Sequence, residues 1–453
     1  MNLPNYFLAD LPPEAILSPA MIREACQTLK RNREKYLAGR STHSLVSLLS
    51  TVAANWLDPD YSFRKFALQE ECRRSGFAQR TLAKGLDDFF RQLTPDNFHK
   101  LLEQDLGHAE RLDRLTSTDQ ERKSGRAAIA IAPELLVHIT AGNLPVPALM
   151  SLILGLLVRS AQFLKCARGT ALLPRLLAHS IYDADPKLGA CLEVGEWAGG
   201  TVELEQALFE EAECVTATGS DTTLAEVRKR LPRTARFLGY GQRVSFGYVA
   251  AEMLNGMMAD RVVARAASDV VAWNQLGCLS PHVFYVQAGG VVSPEKFAEL
   301  LASQLDQLEH AEPRGALPPE DAAAISSRRS LYEVRAAHVP DTLHWSSKGS
   351  TAWTVVFEAD PRFQLSCLNR FIYIKPVKDL TAALHAVDAI RGCVSTVGLA
   401  VPEHRAEEFA TELARWGASR VCPLGQMQNP PLTWRHDGRP ALGDLITWAD
   451  WES

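Results

Sequence analysis

Apolar residues recur at three- and four-residue intervals through the first 125 positions, as in PAMIREACQTLKRNREKYLAGR (19–40) and SLVSLLSTVAANWL (44–57). That period places apolar side chains on one face of a helix, so this part of the chain is read as helical. The same spacing runs from Phe63 to Leu93, with one glycine interrupting it.

Beyond residue 125 short continuous apolar runs take over, beginning with AAIAIA (127–132) and ELLVHIT (134–140). A helical run from Pro147 to Arg159 follows, then the strand-like AQFLKCA, the helical TALLPRLLAHSIYDA, and CLEVGEWAGG. TVELEQALFEEA, ECVTATG, DTTLAEVRKRL and ARFLGYG continue the alternation of helix and strand. Parallel strands need crossover helices, so this order predicts a doubly wound sheet covered on both faces, with ligands at the carboxyl ends of its strands. After Gly247 a second α/β set begins, with strands expected at VFYVQAGG, NRFIYIKPV and VSTVGLAV. The expected fold is therefore α/β: a helical region at 1–125, a dinucleotide-binding unit at 126–245, a catalytic unit at 246–395 and a completing segment at 396–453.

Composition narrows the function. The chain carries 48 basic and 53 acidic residues, a net charge of −5, which excludes the basic excess of a nucleic-acid binder. LPVPALMSLILGLLV (144–158) is the most apolar stretch and is too short to span a bilayer, so no membrane span is expected. MNLPNYFLADLPPEAILSP lacks the pattern of a secretory leader. Nine cysteines without a CxxC argue against a disulfide framework or a metal site and favour a reducing cytoplasm.

One cysteine stands apart. NQLGCLSPH sets Cys278 between a glycine and a Ser-Pro turn, where a nucleophile could be presented at a loop tip. HITAGNLPVPALM puts Asn143 between a strand and a proline-bounded helix start, as a turn residue or as an amide aimed at an oxyanion. ECVTATGSDTT ends a strand at Thr218 and Gly219 and opens a helix at Ser220, a place where backbone N–H groups hold phosphate, although the GxGxxG fingerprint is absent. Cys166, Cys214 and Cys422 are expected to be packed, His138 to be a hydrogen-bonded strand histidine, and the closing WADWE to serve packing.

Taken in order, HITAGNLPVPALMSLILGLLVRSAQFLKCA, TATGSD and NQLGCLSP resemble the aldehyde dehydrogenase superfamily. LSCLNRFIYIKP, STVGLA, GASRVCPLG and HDGRPALGDLITWADWE narrow the resemblance to the long-chain acyl-CoA and acyl-protein thioester reductases of the bioluminescence type. The resemblance implies Cys278 as nucleophile and Asn143 as oxyanion amide. It also implies Lys165 on the adenosine ribose, Thr218, Gly219 and Ser220 at the pyrophosphate, and Glu358 at the nicotinamide ribose. Two departures matter. Where oxidative members carry a glutamate base, LGYGQRVS (238–245) has no acidic residue, so hydrolysis of an acyl-enzyme lacks its base. Three residues past the lysine, where NAD-preferring members often have glutamate, LKCARGT has Arg168, which suits a 2′-phosphate and favours NADPH over NADH.

The implied activity is reduction of a fatty acyl-CoA or acyl-protein thioester to the aldehyde through an acyl-cysteine. An oxidative aldehyde dehydrogenase and a non-catalytic acyl-accepting subunit are the alternatives. An acyl-protein synthetase or acyl-transferase is the implied partner, and relatives of this type tend to be homo-oligomers. His282 is one candidate to activate the thiol.

Overall fold

The computed structural model describes residues 3–12 and 14–453. Helices dominate up to Lys123, as the apolar spacing requires. The strands that follow are β1 (Arg126–Ile131), β2 (Leu135–Ile139), β3 (Ala161–Cys166), β4 (Leu192–Glu196), β5 (Cys214–Thr218), β6 (Arg236–Tyr240) and β7 (Val244–Val249). Next come β8 (Pro281–Gln287), β9 (Thr342–Ser346), β10 (Thr354–Glu358), β11 (Phe371–Val377), β12 (Val394–Ala400), β13 (Arg420–Pro423) and β14 (Thr447–Glu452).

Five of these strands form one parallel sheet in the order β4-β3-β2-β5-β6. The winding runs outward from β2 through β3 to β4, then returns to the other side of β2 with β5. That reversal opens a crevice at the carboxyl ends of β2 and β5. Alternate residues of β2 face opposite layers. Val137 packs with Ile22, Cys26 and Leu29 of the helix Pro19–Tyr36, while Leu136 packs with Leu152 and Leu156 of the helix Val146–Leu157. The N-terminal helix Pro19–Tyr36 and the crossover helix Val146–Leu157 thus cover opposite faces, and each buried Leu or Ile contributes about 1.5–3 kcal/mol of burial.

The second sheet has seven strands in the order β13-β12-β7-β8-β11-β10-β9, parallel except for β9. Val262, Val263, Ala266, Ala267 and Val270 form the apolar stripe of the helix Gly256–Val271 and pack on Phe284, Val286 and Ile372. Tyr285, Val356 and Tyr373 face the opposite layer with Ile325 and Tyr332. The boundaries expected at 245 and 395 fall inside β7 and β12, so this sheet runs on to Pro423.

Two expectations are corrected. AAIAIA does not join the doubly wound sheet: β1 pairs antiparallel with β14, register Arg126↔Glu452, in a separate two-stranded ribbon. WADWE is therefore a strand, not core packing, and Trp448 and Trp451 are 42% and 54% exposed. A short apolar run cannot reveal its pairing partner when that partner lies at the far end of the chain. Among the described residues no helix is long and apolar enough to cross a membrane.

Candidate active site

The loop that carries Cys278 is held by a conformation that most residues avoid. Trp273, Asn274 and Gln275 have φ of 51°, 52° and 65°, and Leu368, Asn369 and Arg370 have φ of 59°, 54° and 65°. Left-handed backbone in non-glycine residues costs on the order of 1–3 kcal/mol each and persists only where surroundings impose it. Here the two runs lock together. The Gln275 side chain accepts from Phe371 N at 2.8 Å and donates to Phe371 O at 2.9 Å and Pro281 O at 2.7 Å. Arg370, fully buried, donates through Nε to Asn274 Oδ1 at 3.2 Å and through Nη1 to Glu309 at 2.8 Å. The Trp273 ring fills the space a Cβ at Gly85 would occupy, which ties the loop to the helix Gln79–Phe90. Asn274, Gln275 and Arg370 thereby gain roles that the sequence did not disclose. Gln275→Leu takes the side-chain donor from two buried carbonyls, those of Phe371 and Pro281, each at about 1–3 kcal/mol, while Phe371 N keeps its 3.1 Å bond to the Leu368 carbonyl. A fall in unfolding stability of at least about 2 kcal/mol is expected, read from the urea midpoint. An unchanged midpoint would mean that these groups find other partners.

Cys278 itself is half-buried, and its carbonyl accepts from the Ser245 hydroxyl of β7 at 2.7 Å. Burial pushes its thiol up to about 11, and the charge of Asp437 adds to this, while the Ser395 hydroxyl and Arg243 oppose it. His282 does not serve it, contrary to one sequence-based expectation. Its ring is buried in β8, Nδ1 accepts from Ser366 N at 3.1 Å, and burial lowers its pKa to about 4. Cys166 and Cys214 are fully buried, as expected, whereas Cys422 is only partly so.

Asn143 lies in the exposed turn after β2, just ahead of the helix Val146–Leu157. Its Nδ2 donates to the carbonyl of Leu276 at 3.1 Å, two residues before Cys278. Residues 133 positions apart are thus brought to one place, and the second amide proton remains for a ligand. A cavity of about 330 Å³ opens here, lined by Thr140, Asn143 and Arg168, with Glu71, Arg74 and Phe77 from the N-terminal region. The helical N-terminal region thus contributes to this cavity a carboxylate pushed up to about 7 by burial, Glu71, and the guanidinium of Arg74. A second cavity, about 310 Å³, is lined by Phe89, Met150, Trp273 and Gln428. Gln428 bonds the Ser280 hydroxyl, and its amide would meet a Cβ at Gly277 at 2.9 Å.

The expected cofactor residues fall around the crevice at the strand-order reversal. Ser220 caps the helix Asp221–Arg230, its hydroxyl accepting from Thr223 N at 3.2 Å, and Thr218 and Gly219 complete the turn. Lys165 is buried in β3, with Nζ over the Trp197 ring at 5.7 Å. Arg168 is exposed two residues past the end of β3. A helix start, an exposed guanidinium and an open strand-end crevice fit a dinucleotide phosphate. Glu358 is a correction. Its carboxylate, 5% exposed in β10, is taken by Lys375 at 3.1 Å and Arg335 at 2.5 Å, an internal ion cluster rather than a ribose contact. His138 behaves as expected, bonding Thr216 Oγ1 at 2.6 Å and Gln162 Oε1 at 2.9 Å.

Comparison with known proteins matches residues 37–448 to a family described as acyl-CoA reductase (LuxC). A long-chain acyl-protein thioester reductase of Photorhabdus laumondii is 21% identical over 418 residues, covering 90% of this chain and 82% of that protein. One from Aliivibrio fischeri is 23% identical over 423 residues, with 90% and 82% covered. Among solved structures, a putative aldehyde dehydrogenase from Anabaena variabilis superposes with a TM-score of 0.71 at 15% identity, covering 96% of this chain and 93% of that one. An NAD-dependent benzaldehyde dehydrogenase from Corynebacterium glutamicum gives 0.69 at 13% identity, covering 97% and 91%. Against bifunctional proline utilization A the TM-score is 0.73 at 14% identity, and the chain, 98% covered, spans 45% of that longer protein. At these identities the superpositions establish the aldehyde dehydrogenase fold.

Proposed function

The chain belongs to the acyl-CoA reductase (LuxC) family, and from that premise we propose that it reduces a fatty acyl thioester, acyl-CoA or acyl-protein, to the fatty aldehyde with NADPH, the acyl group passing through Cys278. The observation that carries this reading is the Asn143 amide fastened at 3.1 Å to the loop of Cys278, beside the crevice of the doubly wound sheet.

In the proposed mechanism the Cys278 sulfur attacks the thioester carbonyl. The free N–H of Asn143 and the backbone N–H of Cys278 hold the tetrahedral oxyanion. Collapse expels the donor thiol and leaves the acyl group on Cys278. The nicotinamide supplies hydride to that acyl carbon when bound. The aldehyde then departs and the sulfur is regenerated. Thr218, Gly219 and Ser220 hold the pyrophosphate, Lys165 the adenosine ribose and Arg168 the 2′-phosphate. The cavity lined by Phe89, Met150 and Trp273 offers the acyl chain apolar surface. Residues 238–245 carry no acidic side chain that would activate water, which favours reduction over hydrolysis.

NADPH oxidation measured over acyl-CoAs of graded length, with the product identified as aldehyde, tests the proposal. Fatty acid as product would refute it. For the cofactor, Arg168→Glu is expected to raise the KM for NADPH by about tenfold or more, equivalent to about 1.4 kcal/mol, and to leave that for NADH nearly unchanged. Equal KM ratios in wild type and variant would remove Arg168 from the assignment.

A further inference from the structure

The turn that carries Arg168 is built around a carboxylate from the neighbouring strand. Ala167 to Thr170 form a tight turn, closed by Thr170 N donating to the Ala167 carbonyl at 3.1 Å and by Thr170 Oγ1 donating to the same oxygen at 2.8 Å. Arg168 is the second residue of that turn and Gly169 the third. Gly169 has φ 85°, the positive value that a type II turn demands at its third position. No atom stands within 4 Å of the place a Cβ would take there, so backbone conformation rather than crowding calls for glycine.

Glu196 supplies the rest. It ends β4, the edge strand of the doubly wound sheet, in register with Cys166 at the end of β3. Its half-buried side chain crosses to the turn, where Oε1 accepts from Gly169 N at 2.5 Å and Oε2 from Ala171 N at 3.3 Å. Ala171 precedes the helix Leu172–Ala184 and offers no side-chain cap. The first N–H groups of a helix lack partners within it, and here a carboxylate from another strand provides one. A single acid therefore grips the residue after Arg168 and the residue that opens the next helix. Both its oxygens bond the main chain of the turn and not the guanidinium. Arg168 stays exposed, on the wall of the cavity it shares with Thr140, Asn143 and Arg74.

We propose that Glu196 is the positioning residue of the 2′-phosphate site, fixing the turn so that the Arg168 guanidinium meets the phosphate monoester of NADPH through two hydrogen bonds. The inference deepens the assignment of Arg168 to that phosphate and rests on it. A guanidinium fork matches a phosphate only in a defined orientation, and an arginine at the corner of an unanchored turn holds no such orientation. The two effects of Glu196 on a bound dianion have opposite signs. As a bare negative charge beside the site it repels the phosphate, so its removal would tighten binding. As the anchor of the turn it holds Arg168 in place, so its removal weakens binding. The sign of the change tells which effect rules.

The test reads binding alone, by titration calorimetry of the full chain with adenosine 2′,5′-bisphosphate and with 5′-AMP, which lacks the 2′-phosphate. Glu196→Ala is expected to raise the Kd of the bisphosphate by about fivefold to tenfold and to leave that of AMP within about twofold. Glu196→Gln keeps the shape and one accepting oxygen, is expected to lose about threefold, and serves if the alanine variant does not fold. In an Arg168→Ala background neither substitution should weaken the bisphosphate further, because two residues that act through one contact are not additive. A merely structural role would weaken both ligands alike, or persist at full size without Arg168. Either result, or a bisphosphate bound by the variants as tightly as by wild type, overturns the proposal. Arg168→Ala by itself separates the two readings. If it leaves the ratio of the two Kd values unchanged, the NADPH assignment falls and takes this inference with it, whereas a ratio that answers to Arg168 but not to Glu196 removes only the positioning role.

Discussion

Cys278→Ala is expected to reduce aldehyde formation by at least about 10⁴-fold, the scale on which loss of a nucleophile is felt when the remaining groups act only through it. The protein should still fold. The sulfur is half-buried, and the loop is held by Gln275, Ser245 and Arg370 rather than by the thiol. Removing it costs about 1 kcal/mol, the common size of a point-mutation effect. NADPH binding, followed by nucleotide fluorescence, should survive, because Thr218, Gly219, Ser220 and Arg168 lie on other elements. Intact-mass spectrometry after incubation with palmitoyl-CoA, without reductant, should show a thioester adduct on wild type and none on the variant. An adduct that persists in Cys278→Ala would move the chemistry to another sulfur. Cys367, Cys393 and Cys422 are the exposed or partly exposed alternatives in the second α/β half.

Asn143→Ala carries the second large effect. Losing one donor to a developing oxyanion typically costs about 10²–10³ in kcat. KM should change little, since the ground-state carbonyl is bound less strongly than the tetrahedral adduct. The substitution also removes the 3.1 Å bond to the Leu276 carbonyl, so a loosened loop is the competing explanation. Alkylation of Cys278 by iodoacetamide separates the two. An intact rate with a collapsed kcat assigns the amide to the oxyanion, whereas a matching fall in both makes Asn143 a tether. A kcat within about threefold of wild type would take it out of the mechanism.

Several parts of this arrangement were legible in the chain. The change from a period near 3.6 to short apolar runs separates the helical region from the doubly wound sheet, because crossover helices must intervene between parallel strands. The Gly-Cys-Leu-Ser-Pro turn and the Asn-Leu-Pro helix start showed where small and polar residues interrupt that periodicity. Glu358 was misread because a carboxylate in an apolar strand looks the same in sequence whether it meets a ribose or an internal lysine. AAIAIA was misplaced for a similar reason, since its partner β14 is more than 300 residues away.

The local pattern alone determined the class of fold, the helix and strand alternation, and the small, polar loop that carries Cys278. Each of these follows from neighbours within a turn of helix or a few positions of strand. Tertiary structure alone decided how two left-handed runs lock the Cys278 loop, that the Asn143 amide meets the Leu276 carbonyl, and that Glu71 and Arg74 reach the same cavity as Asn143. Those facts depend on long-range closure, where burial and hydrogen-bond satisfaction are summed over the whole chain and no window of sequence contains both partners.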